Sequence, residues 1–307
     1  MLINLSKKYI GKVFLIGICG FFMTNLQAQD NKNISLEENS ENSVVIEKNI
    51  QKFYETGVEK DRLYKKMGRL EKERTDKLLN QYLPKAPTTI LDVGGGIGVY
   101  SFDLASKGYN VYLIDPVASN IKEAIKFGEQ YKENPLQGYI VGDARKIDMS
   151  DESVDIVLFM GPLYHLNNSD RKIALLEAYR VLKPGGKIFT VAISRFCPVL
   201  GAFVKGQMED PDFEKEVFNS LTKGQFFYKG GQFFTHWPNE LQNEVKEAGF
   251  ESVSIHAIEG FGYCLHESNW DNENLRQKLL KAIELTETES SVLGISSHMM
   301  AIGEKSK

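Results

Sequence analysis

From Thr88 onward, short apolar runs rich in β-branched residues alternate with longer stretches in which apolar residues return every three or four positions. The runs predict strands over 88–93, 110–114, 138–141, 154–159 and 187–193, and the longer stretches predict helices over 97–107, 117–131 and 169–182. Strand and helix in alternation give a parallel sheet with helices on both faces. Ile156-Val157-Leu158-Phe159 and Ile188-Phe189-Thr190-Val191 are nearly continuous apolar runs, as strands covered on both faces require. Lys183-Pro184-Gly185-Gly186 should stop the helix that precedes the fifth strand, with proline and glycine supplying the break.

After Ser194 the alternation lapses. The GQFF unit occurs twice, at 224–227 and 231–234, and two aromatic runs about Lys229-Gly230 predict a hairpin or tight reversal. Phe233, Phe234 and Trp237 then either wall a substrate pocket or pack the insertion onto the sheet. A helix over 238–248, a strand over 253–258, a helix over 273–287 and a strand over 298–302 complete the pattern. Ahead of the sheet, Ile46, Ile50, Phe53 and Tyr54, then Leu63, Met67, Leu70, Leu78 and Leu79, recur at helical spacing among many charges and predict two amphipathic helices.

The first strand, with Ile90, Leu91 and Val93, ends in a glycine cluster that leads into a helix. Missing Cβ atoms at such a turn let backbone amides approach a ligand closely, as at a nucleotide-type cofactor. A dinucleotide fingerprint would need glycine at position 99, where this chain has Val99. Asp115 follows Gly94 by twenty-one residues at the end of the second strand. An acid there accepts from both hydroxyls of a ribose; alternatively, with Pro116 next, it caps the following helix before Val117.

Asp92, Gly94, Gly96 and Gly98, an acid followed by glycines at alternate positions, resemble the motif of the class I S-adenosylmethionine-dependent methyltransferases. Leu182-Lys183-Pro184-Gly185-Gly186 is similar to the turn before the fifth strand of that family. The resemblance spans about residues 46–307 and implies an α/β fold: a doubly wound, seven-stranded, mostly parallel sheet with helices on both faces and an insertion after the fifth strand. It implies S-adenosyl-L-methionine as cofactor, lying on Gly94, Gly95, Gly96 and Gly98. Asp92 would help hold the cationic amino end, and Asp115 with Pro116 the ribose. Gly142-Asp143-Ala144 would meet the adenine, and Met160 would border the site. N-terminal helices cover the cofactor in such proteins, which makes Tyr54, Tyr64 and Arg74 pocket candidates against a solvated face or packing stripe.

Met160-Gly161-Pro162-Leu163-Tyr164-His165-Leu166 leaves the fourth strand at its carboxyl end, where ligands of such sheets bind. Tyr164 is expected to orient an acceptor and His165, with an ordinary pKa near neutrality, to serve as a base; the pair could instead pack or cap the next helix. The expected domains are a substrate-covering insertion over 196–250 between a cofactor-binding core over 86–195 and closing elements over 251–307, with N-terminal helices over 45–85.

Composition bounds the acceptor. The chain has 307 residues, 42% of them hydrophobic and 25% charged, a net charge of -4 and a pI near 5.9. No basic stripe interleaves with aromatics, so nucleic acid is a poor partner and a small molecule the expected one. Cys197 and Cys264 are too scattered for a metal site or a disulfide framework, and the histidines show no H-E-x-x-H spacing. Lys7, Lys8 and Lys12 before the apolar run Val13–Met23, with Leu26-Gln27-Ala28 after it, read as a signal peptide over 1–28, and 29–44 as a disordered linker. The run is too short to cross a membrane. Export conflicts with a cofactor made in the cytosol, and a start at Met23 would remove the conflict. An inactive, exported nucleoside-binding protein on the same fold is the second functional reading.

Overall fold

The computed structural model describes residues 62–265 and 269–307. The leader, the linker, the first N-terminal helix and Tyr54 lie outside the described residues. Strands β1 (Thr89–Val93), β2 (Asn110–Asp115), β3 (Gly138–Val141), β4 (Val154–Phe159) and β5 (Leu182–Ser194) run parallel in the order β3-β2-β1-β4-β5. Antiparallel β9 (His298–Glu304) pairs with β5 over Lys187–Ile193, and β8 (Glu251–Ala257) pairs antiparallel with β9. These are the seven strands expected, and a hairpin adds two more.

Period-two alternation sends neighbouring side chains to opposite faces, and both faces are apolar. Leu91, Val93, Val157 and Phe159 pack with Ala174, Leu175 and Ala178 of α4 (Asn168–Val181) and Leu241 and Val245 of α7 (Pro238–Glu247). Ile90, Ile156, Leu158 and Leu113 pack on the other face with Leu78 and Leu79 of α1 (Lys66–Tyr82), Phe102 and Leu104 of α2 (Val99–Ser106) and Ile121 of α3 (Ala118–Gly128). The two-sided cover inferred from the continuous apolar runs is therefore present.

One expectation is corrected. The helix does end just ahead of Lys183-Pro184-Gly185-Gly186, α4 stopping at Val181, but these residues form a bulge within β5 rather than a turn before it. Val154 pairs with Leu182 and Ile156 with Lys187, so four residues of β5 face Asp155 alone. Gly185 takes φ +77°, and a Cβ on Gly186 would come within 2.8 Å of the Asp155 carbonyl oxygen. The prolyl-glycyl signal was a bulge signal, which in sequence looks the same as a stop.

The insertion contains α5 (Cys197–Lys205), α6 (Pro211–Lys223) and the hairpin β6 (Gln225–Tyr228) to β7 (Gly231–His236). Lys229 and Gly230 take φ +46° and +83°, the left-handed pair that a two-residue hairpin turn needs. At Ile193 one edge of β5 carries His298 of β9, so β7, paired at Ile193↔Thr235 and Ser194↔His236, takes the other edge. It prolongs the line of β4 past Phe159, whose partner is Thr190, and places the hairpin over the loop that leaves β4. The remaining helices are α8 (Glu273–Thr286) and α9 (Ser290–Leu293).

Candidate active site

The glycine turn between β1 and α2 is built on left-handed backbone: Gly94, Gly96 and Gly98 have φ of +68°, +61° and +86°. Its amides are directed by β2. Gly94 N–H donates to the Ile114 carbonyl at 2.7 Å, and Gly96 N–H to Asp115 Oδ2 at 2.8 Å. A Cβ on Gly94 would come within 2.8 Å of Pro162 Cγ, so the loop after β4 closes directly on the turn. A Cβ on Gly96 would meet nothing within 4 Å, which leaves an open face where a ligand can approach the backbone.

Asp92 lies beneath this turn, wholly buried. Its Oδ2 accepts the Ser101 hydroxyl at 2.6 Å, while Oδ1 is buried with no hydrogen-bond partner among the described residues. Burial above all, with the neighbouring Asp115 charge and against the Ser101 bond, lifts its pKa from 3.8 to about 6. An orphaned carboxylate oxygen under an open glycine cradle fits a cationic ligand group, because a nearby positive charge would restore the ionised form.

Asp115 accepts from three groups: Gly96 N–H, Val117 N–H at 2.9 Å and the Asn120 amide at 3.0 Å. Asp115 thus holds the chain entering α3 without capping it, since the N-cap is Val117 and has no side-chain cap bond, and the same carboxylate locks the glycine turn. A carboxylate offers about four acceptor positions, so one remains for a ribose hydroxyl. Burial raises its pKa against those three bonds. Pro116 is exposed beside it. Asp143, expected against adenine, carries Arg145: the Arg145 amide reaches Oδ1 at 2.8 Å and the guanidinium Nη2 reaches Oδ2 at 2.5 Å. Arg145 also reaches Asp170 at 3.1 Å. Ala144 turns its methyl into the core beside Ile147, and Met160 is half-buried at the end of β4.

Tyr164 and His165 form a 3₁₀ turn with Pro162 and Leu163. The Tyr164 hydroxyl would lie 3.5 Å from a Cβ on Gly161, so it faces the start of the loop that meets the glycine turn. His165 is buried under the hairpin, its ring 5.4 Å from that of Phe233, with a hydrogen bond to the Gln232 backbone. Burial lowers its pKa to about 4, which makes it a weaker proton acceptor than its residue type implied. Of Phe233, Phe234 and Trp237, Phe233 is the one whose ring meets this turn. Phe234 packs on Phe227 and under Arg171, and Trp237 packs between Phe196 and Arg195. Tyr64 is exposed, and Arg74 is buried and bonded to Ile258 O and Glu287 within the scaffold.

Sequence reasoning passed over Ser101, Asn120, Pro162 and Arg145. The first two are polar residues at helical positions near the acids they serve, which was a usable signal. Pro162 and Arg145 act through tertiary approach. It also missed a convergence of Glu71, Glu259 and His298, whose potential ligand atoms lie within 4.8 Å of one another although the residues are far apart in the chain.

A family described as methyltransferase domain matches residues 91–190, the segment that holds the glycine turn, Asp115, Asp143 and the loop after β4. The ubiquinone/menaquinone biosynthesis C-methyltransferase of Acidiphilium cryptum is 28% identical over 198 residues, covering 61% of this chain and 75% of that protein. That of Dinoroseobacter shibae is 25% identical over 210 residues, covering 66% and 82%. The chain carries a methyltransferase domain of the S-adenosylmethionine-dependent kind. In fold, the methyltransferase is similar to an S-adenosylmethionine-dependent methyltransferase of Methanosarcina mazei, with a TM-score of 0.51 and 20% identity over 75% of this chain and 97% of that one. It is also similar to the 1,6-didemethyltoxoflavin-N1-methyltransferase of Burkholderia thailandensis, with a TM-score of 0.57 and 13% identity over 90% and 94%. The methyltransferase uses S-adenosylmethionine, which when bound supplies a methyl group activated by its sulfonium. Asp92, Asp115 and the open backbone face at Gly96 are the groups suited to hold it. Among the described residues no helix is long and apolar enough to cross a membrane.

Proposed function

We propose that the methyltransferase acts on a small-molecule acceptor that enters between the 160–166 loop and the hairpin Gln225–His236. The observation that carries this is the seating of Phe233 on the 3₁₀ turn, 5.4 Å from His165 and 6.3 Å from Tyr164. The hairpin thereby roofs the carboxyl edge of β4, and Phe233 and Tyr164 supply aromatic surface there of the kind that suits a compact ligand. Two ion pairs anchor the insertion in that position, Arg195 holding Glu240 through Nη2 at 2.6 Å and Arg171 holding Glu244 at 2.6 Å. A net charge of -4 gives a polyanion no general attraction. Relatives named for quinone biosynthesis and a fold neighbour solved with a bound heterocycle support an acceptor of small-molecule size.

In this reading Tyr164 orients the acceptor. His165, buried and neutral, keeps the hairpin seated through Gln232 and acts as a base only weakly. In-line placement of the acceptor supplies much of the rate, on the order of several kcal/mol. The test is transfer of label from methyl-labelled S-adenosylmethionine into extracts of the host. Label in low-mass compounds is expected, and label mainly in RNA or protein would end the small-molecule reading.

A further inference from the structure

At the carboxyl end of β5, where β8 ends and β9 begins, ionisable side chains from separate segments meet. His298 opens β9 opposite Ile193 and is 2% exposed. Its Nδ1 lies 2.5 Å from Oε1 of Glu259, which follows β8 and is 1% exposed. The other Glu259 oxygen accepts from the Ser296 hydroxyl at 3.0 Å and from the His298 backbone N–H at 2.8 Å. Glu259 is therefore fixed at both oxygens and fixes the imidazole in turn. Nε2 of His298 is buried and has no hydrogen-bond partner among the described residues. Glu71 of α1 comes within 3.9 Å of Nδ1 and holds Arg62 through two hydrogen bonds.

The charges do not balance without a proton. Among the described residues, Glu259 and Glu71 against Arg62 leave the group at one net negative charge while the imidazole is neutral, and at zero once it is protonated. Away from water that imbalance favours protonation of the ring. Burial of His298 works the other way and Arg62 opposes slightly, but Glu259 and Glu71 prevail, and the imidazole pKa is raised above 6.5. Tyr100, at the start of α2, bonds to Thr75 and lies beside Glu71, which ties the group to the glycine turn. His298 stands on one edge of β5 at Ile193, and the hairpin joins the opposite edge at the same residue. The cluster and the roof thus stand at the same level of the sheet, at the carboxyl end of β5.

The geometry points to a Glu259–His298 dyad in which Nε2 takes the proton that the acceptor releases on methylation. A lone pair on the acceptor's oxygen or nitrogen, or the pair of an activated C–H bond, forms the bond to the methyl carbon, the carbon–sulfur bond breaks with its pair going to sulfur, and the proton that X–H releases passes to Nε2. The products are a methylated acceptor, S-adenosylhomocysteine and an imidazolium balanced by Glu259 and Glu71. His298 is the catalytic residue and Glu259 its positioning residue, by the logic of a carboxylate behind a histidine. The acceptor class is thereby narrowed to protic groups, an O–H, an N–H or an activated C–H, and excludes thioethers and tertiary amines. This rests on the small-molecule reading above, which the fate of label in wild-type reactions tests separately.

The experiment compares label transfer from S-adenosylmethionine into the low-mass host extract by wild type, His298→Gln, Glu259→Gln and His165→Gln, with S-adenosylhomocysteine affinity measured on each. His298→Gln should slow transfer by about 10²-fold or more while affinity stays within about twofold. In wild type the rate should rise with pH as the imidazole loses its proton. In Glu259→Gln that rise should move to lower pH, since the balancing charge is gone, and the plateau should fall. A His298→Gln rate within about threefold of wild type, a pH profile unmoved in Glu259→Gln, or loss of affinity in step with rate would overturn the dyad. Because either variant can fail to fold, the wild-type ring is also read by ¹⁵N-histidine NMR. A proton on Nδ1 and a bare Nε2 above the imidazole pKa are expected, and the reverse tautomer overturns the proposal.

Discussion

Replacing Asp92 with Asn should weaken the cofactor and strengthen the empty fold at neutral pH, two effects of opposite sign from one side chain. The wild-type carboxylate is wholly buried with one oxygen unpartnered, and its pKa is about 6 against 3.8 for an ordinary aspartate. One pKa unit is about 1.4 kcal/mol, so ionising it in the empty protein costs about 3 kcal/mol. The sign follows from the raised folded-state pKa: the cost is absent below about pH 3.8 and complete above about pH 6. Asparagine still accepts from Ser101 but leaves an amide unpartnered, at about 1–2 kcal/mol at any pH. The variant should thus be less stable than wild type near pH 4 and more stable by about 1 kcal/mol near pH 8, a reversal that urea denaturation at the two pH values reads directly. Affinity for S-adenosylhomocysteine should fall by about 1.5–3 kcal/mol, the worth of a charge-assisted hydrogen bond, in calorimetry at pH 8. An Asn variant with unchanged affinity, or with a stability difference that does not vary with pH, would refute the assignment of Asp92 to a cationic ligand group.

Asp115→Ala removes the acceptor that locks Gly96 and faces a ribose, and it should weaken S-adenosylmethionine by at least about 1.5–3 kcal/mol in the same titration. His165, with a pKa lowered by burial to about 4, stabilises the fold fully above about pH 6.5 and ceases to do so as pH falls to 4. Over that range wild type should lose about 3 kcal/mol more stability than His165→Gln, measured by denaturant melts at several pH values. If the leader acts as a signal, protein from the native host should begin near Gln29 by intact mass, whereas a chain that begins at Met1 or Met23 in the cytosol would refute export.

The cofactor half of this site was readable because it is local. Asp92 to Gly98 is one turn, and Asp115 is reached by a spacing that a strand, a helix and a strand impose. The sheet followed from apolar runs that only two-sided cover explains. What escaped depends on tertiary approach or on context. The Lys183–Gly186 run reads equally as a helix stop or a strand bulge, and only the pairing of β4 with β5 decides between them. His165 carried the right chemistry by residue type, but a hairpin sixty residues later buries it and lowers its pKa. Asp143 gave no sign that Arg145, two residues on, would fold back onto it. Glu259 and His298 lie at the ends of two late strands whose antiparallel pairing brings them together, and neither sits in a recognisable motif.

A crystal structure of the methyltransferase with S-adenosylhomocysteine tests the central claim most directly. The amino group of the ligand should lie within hydrogen-bond distance of Asp92 Oδ1, a ribose hydroxyl at Asp115, and the sulfur should face the space between the Tyr164-His165 turn and His298. A ligand bound elsewhere, or one that leaves Asp92 Oδ1 unpartnered as it is in the empty protein, would contradict it.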